Sequence, residues 1–261
     1  MRRAALFLAL AALAGSVHAE ISGLPGILAK PGLHYLVIGE MRGTEEIPAF
    51  FGDLVAEASA RKPVSVVLEY PQSRQRDLNR FLASAGDAAD RKALLSTDYW
   101  KNGRDGRTSR AMLALLDRLR LMKLPVIACQ PDASAGDPGS YERVMGQCWK
   151  QAIEDREPGQ LALILAGGAH ASFLPVLGDY PPAVAELPRE QTISLDTLVS
   201  PGWSWHCEKG KCGEYPSHAG NEGAARGIHL GEEIPVDLGT FDGAYSAGPH
   251  FTASPPAATG P

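Results

Sequence analysis

The 261-residue sequence predicts an α/β protein, with a mostly parallel central sheet and helices on both faces. Three observations carry that expectation. Short apolar runs bounded by turn residues alternate with segments of helical periodicity, the order of a parallel sheet built from crossovers. The run "PVSVVLEY" is almost wholly apolar, as a strand covered on both faces is. Hydrophobic residues make up 44% of the chain, enough to bury a substantial core.

The chain opens on a targeting segment, residues 1–19. Arg2 and Arg3 form a positive start, "AALFLALAALAG" is an apolar stretch too short to cross a bilayer comfortably, and "VHA" has the small-x-small pattern of a cleavage site. The expected cut follows Ala19 and leaves no Cys at the new terminus, so this is not a lipoprotein signal. The short positive region resembles bacterial signals, which predicts a periplasmic or secreted protein. No later stretch is apolar enough for a membrane helix. Residues 20–252 are expected to form a single α/β domain, and the Pro/Ala-rich residues 253–261 a disordered tail.

The elements follow in order. "HYLVIGE" (34–40) reads as the first strand. In residues 47–61, Phe50, Phe51, Leu54, Val55 and Ala58 recur at helical spacing. Residues 63–70 make the second strand, and 73–84 and 87–100 two more helices. In 108–122, Met112, Leu115, Leu116 and Leu119 line one helix face, with Thr108 or Ser109 able to cap its start. A third strand (124–130), a helix (140–155), a fourth strand (161–171) and a fifth strand (192–198) complete the alternation. Beyond residue 200, Gly and Pro dominate, and "VDLGTFDGAYSAG" reads as an edge strand or a long loop.

A net charge of −5 without a basic block argues against nucleic acid as a partner and against an anionic membrane surface. Export permits disulfides. "CEKGKC" places Cys207 and Cys212 across a short hairpin, read as a disulfide, with a zinc site as the alternative. Whether Cys129 and Cys148 pair is left open, because their geometry is not legible.

Chemistry-bearing residues collect at strand ends. Glu40 closes the first strand, Glu69 the second, Gln130 the third and His170 the fourth. In an open parallel sheet those ends share one rim, where ligands bind. Paired carboxylates with an imidazole suit either a divalent metal held by Glu40, Glu69 and His170, or divided acid and base roles. Arg42 adds a fixed charge, as a substrate clamp or as a loop-tying ion pair. Asp105 and Arg107 either reach the same rim or serve as a turn and cap.

"IGEMRGTEEIP", "VVLEYP" and "LAGGAHAS" resemble, in order and spacing, elements of the erythromycin-esterase, ChaN and Tiki/TraB superfamily. "DGRTSRAMLALLDRLR", the Cys hairpin and "TASPPA" are similar to an exported bacterial branch of it. The resemblance implies an α/β fold with a polar site at the strand ends, in a superfamily that includes an esterase, metalloproteases and a haem-binding uptake protein. It carries catalytic roles onto Glu40, Glu69 and His170. Arg42 falls where the family has its first His, and a guanidinium neither accepts a proton nor ligates a metal. "GGAH" departs from the family's "GNxH" more mildly. The expectation is an exported hydrolase of small-molecule or peptide substrates, acting through Glu40, Arg42, Glu69 and His170, with a divalent metal as its candidate cofactor. The alternative is a binding protein for haem, iron or another small ligand, or a member without catalysis.

Overall fold

In the computed structural model of the chain, residues 20–132, 136–154, 159–217, 224–231 and 240–258 are described. The expected signal peptide therefore lies outside the described residues, as do His218 and residues 232–239.

Strands and helices alternate from the start. A short helix α1 (Leu24–Leu28) precedes β1 (Tyr35–Glu40), α2 (Glu46–Ser59), β2 (Val64–Pro71), α3 (Gln75–Leu82), α4 (Ala88–Leu95), α5 (Asp98–Asn102) and α6 (Arg110–Met122). Then come β3 (Val126–Gln130), α7 (Pro138–Glu154), β4 (Leu161–Gly167), the single turn α8 (Gly168–Ala171) and β5 (Thr192–Thr197). A hairpin, β6 (Gly202–Glu208) and β7 (Lys211–Ser217), is followed by β8 (Gly227–Leu230) and β9 (Gly243–Ser246).

The seven-stranded sheet has the order β3-β2-β4-β1-β5-β9-β8. Every pairing in it is parallel except β8 with β9. All six β1 residues and all seven β4 residues are buried, as expected for strands covered on both faces. Alternation divides them. Leu36, Ile38, Val66 and Leu68 pack with α2 and α6 through Phe51, Leu54 and Leu115. Tyr35, Val37, Val67 and Ile164 pack with Met145 and Trp149 of α7. The polar ends of β1, β2 and β4 are left at one edge between these two layers.

Several boundaries differ from the sequence reading. The helix expected over 73–84 begins as a 3-10 turn at Gln72–Arg74, and that over 87–100 breaks into α4 and α5 at Ser96 and Thr97. Asp87 caps α4 through the Ala89 and Asp90 N–H groups, and Ser109 caps α6 through the Met112 N–H. The fourth strand stops at Gly167, so His170 stands on α8 rather than on a strand.

Both cysteine pairs are disulfides: Cys207–Cys212 across the hairpin, as expected, and Cys129–Cys148 between β3 and α7. The hairpin turns through Lys209 (φ 48°) and Gly210 (φ 79°), the doubly left-handed conformation of a two-residue turn that matches strand twist. The tail is a correction. Residues 253–258 are not a disordered extension: Ala253 bridges Thr44, Pro256 bridges Ser109, and Ser254 is fully buried. Composition misled here, because a Pro-rich segment is held by side-chain burial and a few backbone bonds. Residues 259–261 lie outside the described residues.

Candidate active site

The site is assembled by two loops and two strand ends. After β1 the chain turns at Gly43 (φ 79°), and after α5 it turns through Asp105–Thr108. These turns touch. A Cβ at Gly106 would lie 2.0 Å from the Gly43 nitrogen, and one at Gly43 only 1.9 Å from the Trp205 carbonyl oxygen of the hairpin. Only glycine permits both approaches. The contact brings the Arg42 and Arg107 guanidiniums toward one carboxylate.

That carboxylate is Glu69, on β2 where its register against β3 shifts between Leu68 and Pro71. Irregular pairing of this kind re-aims side chains at sheet ends. Oε2 accepts from Arg42 Nη2 and, at 3.0 Å, from the Gly167 N–H, while Oε1 accepts from Arg107 Nη1 at 3.0 Å. His170 Nε2 lies 3.8 Å from Oε1. Burial alone would raise the Glu69 pKa, but Arg42, His170, Arg107 and the Gly167 N–H outweigh it and hold the group down at about 2.

Glu40 has the opposite environment. It is 7% exposed, and its Oε1 is buried without a hydrogen-bond partner. Burial pushes its pKa up to about 7; Arg42 opposes the rise, and Glu69 and Asp105 add to it. Arg107 is clamped in turn by Asp105, through Nε at 2.9 Å and through Nη2. Burial disfavours the Asp105 charge, but Arg107 and Arg42 reverse that and lower its pKa. Two guanidiniums are thus balanced by Glu69 and Asp105, and Glu40 is the carboxyl poised near neutrality.

His170 is oriented from behind. Its Nδ1 lies 2.7 Å from Glu142 Oε1, and Glu142 Oε2 accepts the Ala183 N–H at 2.9 Å. A carboxylate only accepts, so the Nδ1 proton belongs on this bond and Nε2 faces Glu69. Tyr141, on the same turn of α7, has its ring 6.1 Å from the imidazole, and its hydroxyl pKa is raised by burial and by the Glu69 charge. Beyond Arg107, the Tyr99 hydroxyl is buried without a hydrogen-bond partner and kept protonated by burial.

Glu40, Arg42, Glu69 and His170 therefore share one edge of the sheet, and Gln130 lies beside Tyr141 on its margin. Of the two sequence readings of Asp105 and Arg107, the structure has both: Asp105 accepts from the Arg107 N–H as a turn residue, and Arg107 also reaches Glu69. Glu142 was missed. Its signal was a carboxylate in the apolar stripe of α7, in line with Met145 and Trp149.

The expected metal set does not fit. Among the described residues, no group of three or more His, Cys, Asp or Glu is placed to hold a metal ion. Glu40, Glu69 and His170 fail for a chemical reason: both Glu69 oxygens already accept from cationic or amide N–H donors.

No family model matches the chain, and no curated protein matches it in sequence. Solved structures match its fold. A Bacillus cereus protein superposes with a TM-score of 0.65 at 14% identity, over 89% of this chain and 92% of that one. A succinoglycan biosynthesis protein gives 0.66 at 10% identity, over 89% and 91%. ChaN of Campylobacter jejuni, described for cofacial haem binding, gives 0.51 at 11% identity, over 85% and 89%. At such identities the likeness shows the fold: this chain has the α/β architecture of ChaN and of the two other proteins.

Proposed function

We propose that the chain is an exported hydrolase of the erythromycin-esterase and ChaN-like type, which cleaves a carboxylic ester or amide by acid–base chemistry without a metal. One observation carries the reading: two buried carboxyl groups share one rim in opposite surroundings, Glu69 held by Arg42, Arg107 and the Gly167 N–H, and Glu40 with an oxygen that has no partner, which drives the first pKa down and the second up. Such divergence assigns an acid–base role to one group and an electrostatic role to the other. Ionised Glu40 takes a proton from water as the water oxygen adds to the carbonyl carbon. The same proton then goes to the leaving oxygen or nitrogen as its bond to carbon breaks, giving an acid and an alcohol or amine. The Arg42 guanidinium, only partly covered and held by Glu69, supplies fixed positive charge for the developing oxyanion. Glu69 fixes Arg42 and Arg107 in place. His170, oriented by Glu142, presents Nε2 toward Glu69 as a second proton-carrying group.

A second reading, a small-ligand binder without turnover, is favoured by the near-complete pairing of Arg107 and by the fold shared with ChaN, a protein described as binding haem. A screen of activated esters and peptides against purified protein, with and without chelator, separates the two. Turnover that survives chelation and is lost in Glu40→Gln supports the hydrolase. Absence of turnover across the screen leaves the binder.

A further inference from the structure

β3 is one edge of the seven-stranded sheet, and a side chain covers part of it where a further strand would run. Gln75, the first residue of α3, donates from Nε2 to the Val126 carbonyl at 3.0 Å and accepts the Ala128 N–H on Oε1 at 2.7 Å. Nε2 also donates to Asn79 Oδ1 at 2.8 Å, one turn further along α3, which fixes the amide. A carbonyl and an N–H two residues apart are the pair that a neighbouring parallel strand takes from an edge. The Gln75 carboxamide is thus a stand-in for a peptide unit on β3.

The open ladder continues past Gln75. The Val66 N–H takes the Pro125 carbonyl at 2.9 Å on the inner side, so Leu124, Val126 and Ala128 turn their backbone groups outward. Leu124 stays in line with the strand, since the residue before a proline favours extended backbone. The next outward rung, the Leu124 carbonyl and the Val126 N–H, faces no strand. Both residues line a cavity of about 780 Å³, whose apolar walls include Leu82, Leu121 and Ile127.

The charged side chains of that cavity are Arg120 and Lys123, and no described carboxylate lines it. Arg120 is held in place: Nη1 donates to the Ser84 carbonyl at 3.3 Å, and the guanidinium lies on Gly86, where an added Cβ would come within 2.3 Å of its Cζ. Its Nε has no hydrogen-bond partner; Asp117 Oδ1 is 3.6 Å away, and Asp117 Oδ2 is taken by Arg91 at 2.9 Å. Lys123 is exposed and ends α6 in the left-handed conformation (φ 56°).

We infer that this groove binds the C-terminus of an extended polypeptide partner whose last residue is apolar. The partner backbone takes the Leu124–Val126 rung in line with the Gln75 amide, its last side chain packs on Leu82, Leu121 and Leu124, and its carboxylate meets Arg120 and Lys123. The resident amide argues for main chain as the occupant, the walls for an apolar residue, and two cations without a lining carboxylate for a free terminus. Strand addition to a sheet edge and capture of a terminal carboxylate are both established modes of peptide recognition. The site is separate from the Glu40 rim and does not depend on the hydrolytic reading.

Acetyl-Ala-Ala-Leu, as the free acid and as the amide, is titrated into the purified protein by calorimetry, with octanoate alongside. The acid should bind about tenfold or more tighter than the amide, the scale of a hydrogen bond to a charged group. Amide exchange at Val126, followed by NMR, should slow in the complex. Lys123→Asn and Leu121→Asp should each weaken binding severalfold. Both positions are exposed, and Asn accepts the left-handed backbone of residue 123, so the variants keep the fold. Equal binding of acid and amide, or binding of neither, overturns the proposal. So does octanoate that binds as tightly as the peptide, with Val126 exchange unchanged, which makes the cavity a site for apolar acids. A wild-type dimer in sedimentation that Leu121→Asp dissociates overturns it too and gives the groove to a second copy.

Discussion

Arg42 and Arg107 take opposite oxygens of Glu69, one from the loop after β1 and one from the turn before α6. A buried carboxylate held this way acts as a fixed counter-charge, not as a proton carrier. Neutralising it leaves two largely buried guanidiniums without their shared partner. Its depressed pKa adds stability that is complete above the ordinary carboxyl value near 4.5 and is lost as pH falls through about 2. The gap corresponds to about 3 kcal/mol. Glu69→Gln should therefore lower stability at pH 7 by about 3–5 kcal/mol, within the usual cost of breaking a buried pair. Urea unfolding at pH 7 and pH 3 checks this, and the deficit of the variant should shrink at the lower pH.

Glu40 has the opposite linkage. Its folded pKa of about 7 exceeds the ordinary value of 4.5, so the native state holds a proton that the unfolded chain releases. Ionising Glu40 in place costs stability progressively between those values, up to about 3 kcal/mol above pH 7. Glu40→Gln should be as stable as wild type at pH 4 and more stable at pH 8. In carboxyl-carbon NMR of wild type, one Glu should titrate near neutrality and disappear in the variant. If every Glu titrates below pH 5.5, Glu40 is not the poised group.

The sheet was legible in sequence because its signals are local and redundant: apolar runs, helical stripes and capping residues agree for β1 to β5 and for α2, α6 and α7. The placement of Glu40 and Glu69 followed from that topology. What sequence did not carry is pairing across the fold. Nothing local to Glu142 points to His170, 28 residues away, and nothing local to Arg107 points to Glu69. The same holds for the tail, where Ser254 meets the Gly43 loop through long-range bonds that composition does not encode. Whether Glu69 could serve a metal turns on the same kind of pairing, since its partners come from three separate segments.

Arg42 should be needed for its charge. If the protein hydrolyses esters, Arg42→Ala should lower turnover by about 10²–10³, the usual cost of one oxyanion donor, and Arg42→Lys should recover part of that loss. Arg42→His should gain no bound zinc or manganese by metal analysis, because Arg107 and the Gly167 N–H still occupy Glu69. A stoichiometric metal in that variant contradicts this account of the site.

The two disulfides should differ in weight. Cys207–Cys212 closes a separation of 5 residues and Cys129–Cys148 one of 19. Loop entropy assigns about 2 kcal/mol to the first and about 3 kcal/mol to the second. Replacing each pair by alanine should lower the unfolding midpoint in that order. The hairpin pair has a further local effect, because the Trp205 N–H donates to Gly43 O at 2.8 Å and the Trp205 indole to Arg104 O at 3.0 Å. Its loss should raise amide exchange in residues 41–44 and 103–107, regions that the Cys129–Cys148 change should leave protected.

The C-terminal strap sets the distance between the two arginine loops. The Ser254 N–H donates to Gly43 O at 2.8 Å, and its hydroxyl accepts the Ala111 N–H at 3.0 Å, so one residue joins the Arg42 loop to the start of α6. The Arg110 N–H donates to Pro255 O at 2.9 Å and the Ala257 N–H to Thr108 O at 2.8 Å, both directly after Arg107. Ser254→Ala removes the acceptor of the part-buried Ala111 N–H and should cost about 1–3 kcal/mol. Removing residues 250–261 also removes Phe251, a fully buried side chain, and should cost several kcal/mol more. A merely structural strap would lower the unfolding midpoint and leave the folded site unchanged. A strap that spaces the guanidiniums should also shift the Glu40 titration in folded Ser254→Ala, because Arg42 opposes the effect of burial on that group. As Arg42 withdraws, the Glu40 pKa should move up from about 7. An unchanged titration in a destabilised variant would leave the strap with a folding role alone.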